Sequence, residues 1–91
     1  MGRRRTFPSV LLVRRDSPVH LSSFRLLVRP PASRDRVWFT RHMPLRPGER
    51  VIVLGRDRRV GPKALGPGST VVAMVRGIVT RIAYRDLVEP Q

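Results

Sequence analysis

The chain has 91 residues, no cysteine, and 19 Lys and Arg against six Asp and Glu, for a formal charge of +13 and a pI near 12. This length allows one domain with a modest core, and the missing cysteines exclude disulfide bracing and thiolate metal sites. No apolar run approaches the ~18 residues of a membrane span, so no membrane partner is expected.

SVLLVRR (9–15) is a short apolar run with β-branched residues near its ends, closed by the turn-like DSP at 16–18, and it reads as a strand. In FRLLVR (24–29), Phe24, Leu26 and Val28 alternate with Arg25 and Arg29, which predicts a second strand before the break PPASRD. A helical pattern competes here. Ser17 can cap a helix with Pro18 at its first position, Leu21, Phe24 and Val28 then line one face, and Pro30 stops it, giving a short helix near residues 18–28. RVWFTRHM (36–43) places Val37, Phe39 and Met43 on one side and Trp38, Thr40 and His42 on the other. ERVIVLG (49–55) is a continuous apolar run of strand length, consistent with burial on both faces.

STVVAMVR (69–76) and GIVTRIAYR (77–85) are separated only by the break at Arg76 and Gly77. In the second, Ile78, Thr80, Ile82 and Tyr84 share an inward face, with Arg81 and Arg85 pointing out. About six short strands punctuated by Pro and Gly predict an all-β chain, a small single-domain barrel or sandwich. The alternative is an α+β fold containing the helix near 18–28. The predicted organisation is a basic N-terminal arm at 1–6 and a single small β-rich domain at 7–91, with a long basic Gly/Pro loop at 56–68.

That loop invites comparison with phosphate cradles. Gly61 and Gly66 have the spacing of G-x-x-x-x-G-K-[ST], but Pro67 and Gly68 stand where Lys and a hydroxyl are needed. Pro62 and Pro67 also remove two N–H donors from any nest, and the β-branched residues after the loop disfavour a helix N-terminus there. The G-x-G-x-x-G dinucleotide pattern is absent. The stretch is a poor nucleotide cradle and reads instead as a finger, stiffened by proline, that grips a polyanion through Arg56, Arg58, Arg59 and Lys63.

Eighteen of the 19 cations are Arg, whose planar fork suits phosphate and keeps its charge when partly desolvated. Codon usage in a GC-rich genome explains Arg over Lys equally well, but not base over acid. The surplus falls from +6 over residues 1–29 to +5 over 30–60 and +2 over 61–91. Arg3, Arg4 and Arg5, then Arg14 and Arg15, then Arg56, Arg58 and Arg59 form clusters; each taken alone could be no more than a solvated face. With Lys63, Arg81 and Arg85 they make up the candidate contact set.

Catalysis finds little support. His20 and His42 have no carboxylate or cysteine nearby to make a dyad or metal set, and read as surface or edge-strand residues. Asp16, Asp35, Asp57 and Asp86 each lie within one residue of an Arg, which suggests local charge compensation. No G-x-S-x-G frame occurs and no carboxylates are spaced to hold Mg²⁺. The sequence therefore predicts no enzyme, no cofactor and no metal.

What remains is a non-catalytic nucleic-acid-binding protein that grips RNA or DNA phosphates through its Arg clusters. Of the few aromatics, Trp38 is the one considered as a base-stacking platform. A basic domain with an N-terminal arm and a long basic loop is similar in general design to small ribosomal proteins. PLRPGERVIVLG followed by GIVTRI also looks like the small SH3-like barrels among them, although Pro-Gly-acid before an apolar strand is ordinary turn chemistry and identifies no family. The alternative function is a structural component of a phage or viral particle, a capsid or connector protein whose arm and loop contact neighbouring subunits. The expected location is the cytoplasm, or the interior of a ribonucleoprotein or viral particle.

Overall fold

A computed structural model describes residues 7–30, 37–57 and 68–90. The arm at 1–6 and positions 58–67 of the expected loop lie outside the described residues. The strands are β1 (Ser9–Val13), β2 (Arg25–Arg29), β3 (Phe39–His42), β4 (Arg50–Arg56), β5 (Thr70–Val75), β6 (Ile78–Ala83) and β7 (Leu87–Val88). They form one seven-stranded sheet in the order β3-β2-β6-β5-β4-β1-β7, and every neighbouring pair is antiparallel. The chain is all-β. Where a barrel or sandwich was expected there is a single open sheet, with β3 and β7 at its edges.

The helix competing for residues 18–28 forms only its first turn. Ser17 Oγ accepts the Val19 N–H at 3.2 Å and Pro18 occupies the first position, as the capping pattern predicts, but the turn is 3-10 and ends at His20. From Arg25 the chain is extended because both edges of β2 are paired: Val28 lies opposite Phe39 on β3 and opposite Thr80 on β6. A strand with partners on both sides satisfies all its backbone groups, and here that outweighs a four-position apolar pattern.

One face of the sheet is dry. Leu11, Val13, Leu26, Val28, Val51, Val53, Val71, Ala73, Val75 and Ile82 form one buried cluster, joined by Val19, Met43 and Leu45 from two connecting segments. Leu45 N–H donates to Val19 O at 2.8 Å and Met43 N–H to Phe24 O at 3.2 Å, which ties those segments together. β4 departs from the sequence reading. Its exposure alternates strictly from Arg50 to Leu54, with Val51 and Val53 fully buried but Ile52 and Leu54 exposed, so the apolar run is buried on one face only. The register with β5 shifts between Val53 and Gly55, which marks a β-bulge at Leu54.

β5 and β6 meet in a two-residue turn. Arg76 at φ 51 and Gly77 at φ 77 both take the left-handed conformation that a tight hairpin of this length requires. β7, absent from the sequence reading, follows a 3-10 turn at Tyr84–Asp86 and pairs Val13 with Leu87. Among the described residues no helix is long and apolar enough to cross a membrane.

Candidate nucleic-acid interface

The register of β2, β3 and β6 decides which side chains gather on the outer face. Val28 opposite Phe39 sets Trp38 beside Arg29, and Leu27 opposite Arg81 sets Arg81 on the same face. The Arg29 guanidinium lies 5.1 Å from the centre of the Trp38 ring and that of Arg81 lies 4.7 Å from it, both within cation–π range. Asp57, just past the end of β4, is held to the sheet by its N–H donating to Thr70 O at 3.0 Å, and its Oδ1 accepts from Arg81 Nη2 at 3.1 Å. Both side chains of this ion pair are only 10% exposed. Val79, opposite Arg29 on the same outer face, is 4% exposed yet stands apart from the core cluster. The outer face thus has a small packed nucleus of its own.

The donors in this nucleus are incompletely satisfied. Arg29 Nε and Arg81 Nε are buried and have no hydrogen-bond acceptor. A buried donor on a charged group that lacks an acceptor costs about 1–3 kcal/mol or more. Among the described residues three arginines are neither buried nor fully exposed: Arg14, Arg29 and Arg81. Arg14 forms a two-pronged pair with Asp16 at 3.1 and 3.0 Å, and Arg81 pairs with Asp57. Among the described residues Arg29 has neither a carboxylate nor a carbonyl partner, only the face of Trp38.

A second gathering forms at the opposite side of the sheet. Arg14 Nη1 donates to Arg85 O at 3.1 Å across 71 positions, and Ser17 Oγ donates to Asp86 Oδ1 at 2.9 Å. Arg14, Asp16, Ser17, Pro18, Arg85 and Asp86 line an open cleft there, next to exposed Arg15. Its two carboxylates already occupy Arg14 and Ser17. His20, expected at the surface or on an edge strand, is half-buried, with Nδ1 2.7 Å from Leu45 O and Nε2 2.7 Å from Arg14 O. It clamps two loops to each other. His42 lies on edge strand β3 and is exposed.

Of the candidate contact set, Arg15, Arg56 and Arg85 are exposed, whereas Arg14 and Arg81 are engaged by carboxylates. Arg3, Arg4, Arg5, Arg58, Arg59 and Lys63 lie outside the described residues. Arg56 belongs to β4, not to a loop. Arg25 and Arg50, which the sequence reading did not single out, are exposed on the outer face, opposite His42 and Leu12 respectively. Arg29 lies outside that candidate set, although the alternation of FRLLVR sets Arg25 and Arg29 on one face. Trp38 is not a bare stacking platform, since two guanidiniums stand within 5.1 Å of its ring centre. Of the acids expected to compensate a nearby arginine, Asp16 does so by pairing with Arg14 two positions away, whereas Asp57 pairs with Arg81 24 positions away and Asp86 accepts from Ser17. Among the described residues no three His, Asp or Glu side chains converge as a metal site would require.

Fold and site together define a small antiparallel β protein with an arginine-studded outer face. No protein-family model, curated protein or solved structure matches the chain.

Proposed function

We propose that the chain is a non-catalytic nucleic-acid-binding protein, a small β domain that grips RNA or DNA phosphates through arginines. One observation carries this reading: Asp16, Glu49 and Asp57 are already paired with Arg14, Arg76 and Arg81, while Arg15, Arg25, Arg41, Arg50, Arg56 and Arg85 stand exposed with no ion pair among the described residues. A net charge of +13 sets up a field that attracts polyanions and repels a second copy of the chain. Contacts of this kind bind phosphate with little regard to base sequence.

A second reading, as a structural component of a virus or phage particle, is favoured by apolar surface left on the outer face. Val10 at 44% and Ile52 at 43% exposure lie opposite each other on β1 and β4, with Val88 at 42% on the next strand, β7. The two readings part in one experiment. Nuclease-treated protein is titrated into labelled duplex DNA, structured RNA and single-stranded RNA under anisotropy detection, with light scattering for mass. Tight binding by a monomer supports the nucleic-acid module, and the ligand bound most tightly names its class. Weak binding by a defined oligomer rejects it in favour of the particle component.

A further inference from the structure

Arg29 combines a buried, unsatisfied donor with no carboxylate partner among the described residues. Its Nε is buried without an acceptor, its guanidinium rests on Trp38, and the one carboxylate shown in this nucleus, Asp57, is bonded to Arg81. Arg81 repeats the shortfall, for its side chain is nine-tenths buried and its Nε also lacks an acceptor. Among the described residues two guanidiniums therefore stand against one indole, and the carboxylate of Asp57 is bonded to Arg81. A packed site with excess positive charge and orphaned donors is stabilised by an oxyanion that supplies the missing acceptors.

We infer that Arg29, backed by Trp38 and the Arg81–Asp57 pair, is a seat for one phosphate group. This rests on the proposed function in so far as the phosphate belongs to a nucleic-acid backbone; the same chemistry would hold a free polyphosphate. Arg29 is partly exposed and is the group that meets the ligand. Side-on capture through Nε and one Nη gives the buried donor its acceptor and turns the guanidinium on the indole face. Arg81 is a positioning residue: paired with Asp57 and set 4.7 Å from the ring centre, it fixes Trp38 and adds charge beneath the seat. Trp38 is the only tryptophan of the chain, so its emission reports on this site alone.

The test follows Trp38 emission in the full chain during titration with tripolyphosphate and, separately, with short duplex DNA. Both should perturb the emission. Arg29→Gln should abolish the perturbation and weaken duplex binding about tenfold, the loss of one charge-assisted bond. Arg29→Lys, which keeps the charge and most of the stem, controls for folding and should retain part of the affinity; circular dichroism confirms the fold of both variants. If duplex binds tightly while Trp38 emission stays constant and Arg29→Gln binds as well as the parent, the seat is refuted and the nucleic-acid reading stands. If duplex fails to bind but tripolyphosphate perturbs Trp38 through Arg29, the seat stands with free polyphosphate as its ligand and the nucleic-acid reading falls.

Discussion

Glu49 accepts three hydrogen bonds from two arginines. Its Oε1 accepts from Arg76 Nη2 at 2.7 Å and from the Arg46 N–H at 2.9 Å, and its Oε2 accepts from Arg76 Nε at 2.8 Å. Partial burial alone would raise its pKa. The bonds from Arg76 and Arg46, together with the charges of both residues, more than reverse that and hold the carboxyl below the ordinary glutamate value of 4.5. A depressed carboxylate contributes stability that is present above the unfolded value and lost as pH falls through the folded one. The contact also fixes Arg76, whose φ of 51 is costly for a residue with a side chain. Because Arg76 is exposed to solvent, Glu49→Gln should cost only about 1 kcal/mol at neutral pH. Below pH 4.5 the parent and the variant should converge in urea unfolding; a gap that persists well into acid would mean the ion pair contributes nothing. This partnership was invisible in the sequence, since 27 positions separate the two residues and only the strand register joins them.

At the scale of elements, period and pairing carried different amounts of information. All six expected strands are present in the sheet because each is a β-branched or alternating run closed by Pro, Gly or a polar turn. β7 was not legible, as two residues are too few to show a period. Nor was the inner face of β4 legible, because Val51 to Leu54 are apolar without a break; Val51 and Val53 are chosen by their pairing with Leu11 and Ala73. At 17–28 the local signals were sound as far as they went, with a real cap at Ser17 and a real proline start, and the pairing of β2 overrode the rest. These placements make a contrast between two isoleucines. Ile52→Asp, at 43% exposure on the outer face, should cost about 1 kcal/mol, the span of strand propensities. Ile82→Asp, at 1% exposure in the core, buries an unpaired carboxylate and should leave the chain unfolded. Thermal melts of the two variants decide it; a folded Ile82→Asp protein would overturn the inner face.

For the molecule as a whole, the sign and size of the charge were legible at once, and with them the class of partner proposed. Which arginines are committed and which are left over was not, because it depends on long-range pairs such as Arg81 with Asp57 and Arg14 with the Arg85 carbonyl. Charge order along the chain therefore motivates the proposed polyanion partner without locating its contacts. The fold sorts them: some guanidiniums brace the domain, Arg29 waits at a packed seat, and others face solvent. If the solvent-facing arginines grip phosphates, binding must release condensed counterions. The most direct measurement is the affinity of the full chain for duplex DNA across a salt series. The predicted result is a straight fall of log K against log salt, with a slope of about 0.9 for each phosphate contacted, that becomes shallower when Arg56, Arg58 and Arg59 are replaced together by Ala. Affinity that stays flat with salt, or no binding at low salt, would contradict a phosphate-gripping role.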